Sequence, residues 1–222
     1  MRTLYRVLAG LLLISQTLST HAQVFSFGLK GGITYANISG NYSLINEYKT
    51  GLNSGVFANF NFTKNVGVVS EINYEQKGFK YNNGNFNNQV LRINGEKRFD
   101  YFTIPVFFKY QLGSKLKFYF KIGTYMGILL YANDNGFLTD YSTSPETTSQ
   151  WNNNIYFDTQ DVDIGLCFGA GFQIPVNKRI GILFETRYNS GLLLIEPDKS
   201  FVEEYQNKDL SLNLGLAYHL LY

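Results

Sequence analysis

The sequence predicts an all-β protein, an eight-stranded antiparallel up-and-down transmembrane β-barrel. Three observations carry this. From Lys208 to Tyr222 every second residue is apolar: Leu210, Leu212, Leu214, Leu216, Tyr218, Leu220 and Tyr222. The residues between them are mostly polar or small, which is the period-two pattern of a strand with one apolar face. Seven further segments repeat this alternation. The connections alternate long and short, as in barrels with short turns at one end and long loops at the other.

The chain begins with a targeting pattern. Arg2 and Arg6 precede a short apolar stretch, Val7 to Ile14, and Thr20-His21-Ala22 offers small residues for a signal peptidase. The expected division is a cleaved Sec signal peptide over 1–22 and a barrel over 23–222. Removing Arg2 and Arg6 reduces Lys plus Arg from 19 to 17, equal to Asp plus Glu at 17. A formally neutral mature chain argues against a nucleic-acid partner. Cys167 is the single cysteine, so no internal disulfide forms. Abundant Phe and Tyr with few prolines suit strands.

Predicted strand one covers about 24–35, with Phe25, Phe27, Leu29, Ile33 and Tyr35 on one face and Lys30 on the other. Strand two spans about 52–62. Strand three, about 66–81, directs Val66, Val68, Ile72 and Tyr74 outward and Glu71, Glu75 and Lys77 inward. Strand four, about 98–110, places Lys109 inward. It contains Pro105, which removes a ladder hydrogen bond and predicts a bulge or kink. Strand five, about 115–131, sends Lys117 and Lys121 inward. A long loop, about 132–160, carries Trp151, the only tryptophan. Strand six, about 161–174, turns Asp161 and Asp163 inward. Strand seven, about 179–192, does the same with Glu185 and Arg187, and the last strand with Asp209.

The expected interior set is therefore Lys30, Glu71, Glu75, Lys77, Lys109, Lys117, Lys121, Asp161, Asp163, Glu185, Arg187 and Asp209. Acids and bases balance. A narrow barrel is filled by side chains, so these charges are expected to form a packed, paired network. The inward glycines Gly123, Gly127, Gly165, Gly169 and Gly171 make room for long side chains.

Four motifs in order resemble the PorT-like outer-membrane β-barrel proteins of Bacteroidetes. They are Glu71-Ile72-Asn73-Tyr74-Glu75-Gln76-Lys77-Gly78, Ile104-Pro105 with Lys109-Tyr110, Gly165 to Gly171, and Glu185-Thr186-Arg187-Tyr188-Asn189-Ser190-Gly191-Leu192. Thr103 stands where an acidic residue often precedes the Ile-Pro pair. The resemblance implies an outer-membrane barrel. Through the member that serves type IX secretion and gliding, it also implies an accessory role in protein secretion.

Nothing in the residues points to an enzyme. After the signal the one histidine is His219, close to the chain end and expected at the periplasmic rim. Asp134, Asp140, Glu146 and Asp158 lack the spacing of a calcium loop. No catalytic, cofactor-binding or metal-binding residues are assigned. The function expected is a non-enzymatic outer-membrane scaffold, partner subunit or surface-interaction protein, with secretion accessory as the alternative. A narrow pore, a lipid-modifying enzyme and a soluble lipocalin-like binder have less support. Expected partners are outer-membrane lipid, a larger membrane complex, and the barrel-assembly machinery acting through Leu216, Tyr218, Leu220 and Tyr222. Both termini are expected in the periplasm.

Overall fold

A computed structural model describes residues 24–42, 44–83, 90–196 and 204–220. The expected signal peptide and Tyr222 lie outside the described residues. The strands are β1 (Val24–Gly40), β2 (Ile45–Asn61), β3 (Val66–Asn82), β4 (Leu91–Leu112) and β5 (Lys117–Asp140). They continue with β6 (Thr147–Asn154), β7 (Val162–Pro175), β8 (Ile180–Gly191) and β9 (Tyr205–Leu220).

All pairings are antiparallel. β1 pairs with β2 and β9, and β4 pairs with β3 and β5. The hydrogen-bonded circuit thus returns to its start. Beginning at Phe27, the pairs run through Ala58, Ser70, Val106, Thr124, Leu166, Ser190 and Lys208. Lys208 then pairs with Asn37, ten residues further along β1. A stagger of this kind accompanies strands tilted at roughly 35–45° to the axis.

This corrects the expected eight-stranded barrel. The described residues form nine strands, and β6 lies outside the circuit, paired only to the upper part of β5. Strands within the circuit run from 12 to 24 residues, so the wall is not an evenly round cylinder. Much of the segment expected as the loop 132–160 is ordered: β5 continues to Asp140, β6 returns, and a short 3₁₀ turn covers Tyr156–Asp158. β4 begins at Leu91 and continues the same projecting sheet. At the hairpin tip Asp140 accepts hydrogen bonds from the Ser142 N–H at 2.8 Å and hydroxyl at 2.6 Å, which hold its carboxyl below the usual carboxylate range.

The bulge expected at Pro105 is elsewhere. The ladder to β3 lapses between the pairs Ser70–Val106 and Asn73–Thr103 but keeps its register, because a missing N–H removes a bond without adding a residue. Register shifts fall at Asp100/Tyr101 and between Tyr48 and Asn53. Near the second shift, Gln76 Oε1 accepts the Leu52 N–H at 3.2 Å.

Three short turns close one end, here the turn end. Thr63 Oγ1 accepts the N–H groups of Asn65 and Val66, Gly113 takes a φ of +93°, and Asn177 Oδ1 accepts those of Arg179 and Ile180. Phe25 pairs with Leu220 at this same end. The opposite, loop end carries the projecting β4–β5–β6 sheet.

Candidate functional site: the charged interior

Alternation drives the two faces apart. Outward residues such as Leu29, Val56, Phe108, Phe120, Ile122 and Leu214 are exposed, while the residues beside them are buried or half-buried. Of the charges expected inside, Lys30, Glu71, Glu75, Lys77, Lys109, Lys121, Asp163, Glu185, Arg187 and Asp209 are buried. Lys117 is half-buried at the turn end, and Asp161 is exposed at the loop end. Both have inward parity but lie where the strands leave the wall.

Nine of the ten buried charges form one connected network. Glu71 meets Lys30 at 2.7 Å, Lys121 at 2.5 Å and Arg187 at 3.0 Å. Glu185 meets Lys30 at 2.8 Å and Lys121 at 2.7 Å, and accepts the Tyr119 hydroxyl at 3.2 Å. Arg187 also pairs with Glu75. Lys77 lies 3.0 Å from Asp163, 3.5 Å from Asp209 and 3.8 Å from Glu75. Its ammonium lies 4.3 Å from the Tyr125 ring centre. Amides finish the arrangement: Asn207 donates to Asp163 and Asn189 to Asp209. Lys109 forms no ion pair among the described residues; its Nζ sits 4.9 Å from the Tyr119 ring centre.

Burying single charges costs several kcal/mol each, roughly, so each needs opposite charge or donors at contact distance. Every carboxylate in the network has at least one cation. The glycines make this possible. A Cβ at Gly169 would strike the Lys121 side chain at 2.6 Å, and one at Gly171 the Tyr119 ring at 2.7 Å. Gly169→Val is therefore expected to lower stability by about 1–3 kcal/mol through overpacking. Urea unfolding followed by Trp151 fluorescence checks this; an unchanged midpoint would refute the packing.

Two features escaped the sequence reading. The first is an apolar plug above the network at the loop end. Ile38, Phe79, Phe99, Leu129, Ile155 and Ile195 are buried together, with Tyr42 and Trp151 against them. Trp151 donates to Asp134 Oδ1 at 3.1 Å. A buried pair, Lys97 with Glu196 at 2.7 Å, joins the plug's edge. The signal was faint because Ile38, Ile155 and Ile195 lie outside the predicted strands and the cluster draws on widely separated segments. The second is an outward polar cluster where the apolar wall stops. Arg98 Nη2 contacts Asp100 Oδ2 at 2.6 Å, and Tyr74 donates to the same oxygen at 2.7 Å.

A cavity of about 30 Å³ bordered by Lys30, Glu71, Lys109 and Glu185 has room for about one water. His219 bonds the Gln173 amide at 2.6 Å. Cys167 is fully buried. Among the described residues no group of three or more His, Cys, Asp or Glu is placed to hold a metal, and no helix is long and apolar enough to cross a membrane. What the arrangement does chemically is neutralise and rigidify.

A major outer membrane protein from Thermus thermophilus shares the fold at 11% identity and TM-score 0.50, over 90% of this chain and 100% of that one. Outer membrane protein OprG from Pseudomonas aeruginosa is similar at 11% identity and TM-score 0.48, over 90% and 98%. Ail, the attachment invasion locus protein of Yersinia pestis, is similar at 14% identity and TM-score 0.40, over 88% and 98%. No curated protein matches the chain. The profile of the outer membrane protein beta-barrel domain matches residues 15–195. With that match covering most of its length, the chain belongs to the outer membrane protein beta-barrel domain family.

Proposed function

We propose that the protein is a non-catalytic outer-membrane barrel whose work is done by its loop-end surface, as a scaffold, partner subunit or surface-interaction protein. The observation that carries this is the contrast between a filled, plugged lumen and a polar sheet projecting from one end. β6, Thr-Thr-Ser-Gln-Trp-Asn-Asn-Asn, is exposed except for half-buried Trp151. A pore needs a clear path, and among the described residues the network and the plug stand across the lumen.

In this reading residues 1–22 are removed on export and residues 23–222 form the barrel. β1 begins and β9 ends at the turn end, which supports periplasmic termini. Leu216 faces outward, and Tyr218 lies 5.6 Å from Phe27, centre to centre, at the β1–β9 seam. These support the last strand as the segment read by the assembly machinery; Tyr222 lies outside the described residues.

The test separates wall from hairpin. Replacing residues 138–150 with a short Gly-Ser linker is expected to leave a folded, heat-modifiable barrel, with stability changed by about 1 kcal/mol or less. A detergent pull-down from the native membrane, followed by mass spectrometry, should then lose whatever partner the intact protein retains. An unchanged partner set would reject the hairpin as the working surface.

A secretion accessory of the PorT kind is the second reading, favoured by the four motifs. Their residues weigh on how far it carries. The first and last motifs supply Glu71, Glu75, Lys77, Glu185 and Arg187, and Gly165 to Gly171 supplies the glycines that clear space for Tyr125, Lys121 and Tyr119. The resemblance thus rests on residues that hold the wall together rather than on a contact surface. Export unchanged after deletion of the gene would reject this reading.

A further inference from the structure

Charge is divided unevenly between the two ends. The turn end carries Lys64, Lys115, Lys117, Lys178 and Arg179, and none of the three turns or their flanking strand ends holds a carboxylate. None of these five cations forms an ion pair with a described residue. The described carboxylates outside the interior network all lie toward the loop end. Exposed apolar residues sit near the turn-end cations: Leu116 between Lys115 and Lys117, and Val176 two residues before Lys178 on the same turn. Cations interleaved with apolar side chains suit a lipid headgroup layer better than the surface of an acidic soluble protein.

A groove of about 640 Å³ runs up the outside of the wall from this end. Small residues, Ala58 and Ser70, leave the wall low there, and Leu29, Val56, Ile72 and Leu216 border it. Ile180 also lines it and directly follows Arg179. The groove's lining is mostly apolar, as an acyl chain requires, and Ile180 joins it to the Lys178-Arg179 turn, the nearest cations along the chain.

We propose that this groove and the Lys178-Arg179 turn form a binding site for an anionic phospholipid of the adjacent leaflet, its acyl chain along Ala58 and Ser70. The inference rests on the membrane-barrel reading. A cation at the surface of an anionic leaflet favours such lipid by about fivefold. Two cations on one turn, partly screened, should give at least that preference.

The test uses the full-length protein in phosphatidylcholine vesicles with nitroxide-labelled phosphatidylglycerol or phosphatidylcholine of matched chains. The motionally restricted fraction is read by electron spin resonance. The native protein is expected to hold phosphatidylglycerol at least about fivefold better than phosphatidylcholine. The double variant Lys178→Gln/Arg179→Gln should bring the ratio near one. Ala58→Phe, which fills the groove, should weaken restriction of both lipids. Excess inorganic phosphate should leave the preference intact. Equal restriction in the native protein overturns the proposal, as does a preference that survives the double variant. So does loss of preference to inorganic phosphate, which would mean a plain anion site. Absence of lipid preference with retention on immobilised polyglutamate would assign the cations to an acidic protein and also overturn it. Heat-modifiability of every variant is measured alongside. A variant that fails to form a barrel tests the membrane-barrel reading; one that folds but binds indiscriminately tests the lipid site alone.

Discussion

Arg187→Met is expected to prevent the barrel from reaching a stable folded state. Arg187 is fully buried and holds two carboxylates, Glu71 and Glu75, through separate guanidinium nitrogens. Glu71 would keep Lys30 and Lys121, but Glu75 would retain only Lys77 at 3.8 Å. Removing one partner from a buried ion pair costs about 3–5 kcal/mol, a large share of the roughly 5–15 kcal/mol that holds a typical domain. The change is read from the heat-shifted gel band after refolding and from the urea midpoint by Trp151 fluorescence. Adding Glu75→Gln to Arg187→Met should recover part of the loss, because the amide carries no charge to strand. If Arg187→Met folds as well as the native chain, the network is not what holds the interior. If the second change worsens matters, the Arg187–Glu75 contact is misassigned.

Leu214→Arg is expected to cost about 2–4 kcal/mol and to block membrane insertion. Leu214 is the middle residue of the outward series Leu210, Leu212, Leu214, Leu216 and Tyr218 on β9, the first four exposed and Tyr218 half-buried, and so lies near mid-depth in the wall. Ile182→Arg offers an internal comparison. Ile182 pairs with Ile174, one residue before Pro175 and the turn, so the guanidinium can reach water. Its cost should fall to about 0–1 kcal/mol, the value near a membrane interface. Leu166, paired with Thr124 and Ser190, is expected to fall between them. Folding into vesicles of defined composition, with the folded fraction measured by gel mobility, gives all three. Equal penalties at Leu214 and Ile182 would refute the depth assignment.

The wall was legible in the sequence wherever both faces had strict demands. β9, β7 and the lower part of β5 alternate because hydrocarbon selects one face and a crowded interior the other. Parity alone therefore placed Glu71, Glu75, Lys77, Glu185 and Arg187 on a common side, and the tertiary fold joined them. Parity says nothing of depth. Lys117 and Asp161 share the inward phase but lie beyond the closed interior, so they missed the network. β6 was invisible for a related reason: apart from Trp151, which packs on the plug, Thr147 to Asn154 is exposed, and pairing with β5 makes it a strand. The plug escaped because it gathers Ile38, Phe99, Ile155 and Ile195 from separate segments, with no local period to announce them. Arg98 and Asp100 stand two apart on the outward side of β4. In sequence they look like interruptions of an apolar face rather than its upper margin.

The reach of the interior ion pairs bears on the timing of assembly. Lys30 and Glu185 are 155 residues apart, and Arg187 and Glu71 are 116 apart. Contacts so distant along the chain form late and slowly. A sheet holding only its first strands would have Lys30 and Glu71 in place with their remaining partners still unmade. Entry into hydrocarbon at that point would leave these groups without full compensation. Hairpin-by-hairpin entry is therefore disfavoured for this chain. Joining of the first and last strands and passage into the bilayer should be concurrent, with the charges paired in a sheltered or hydrated intermediate.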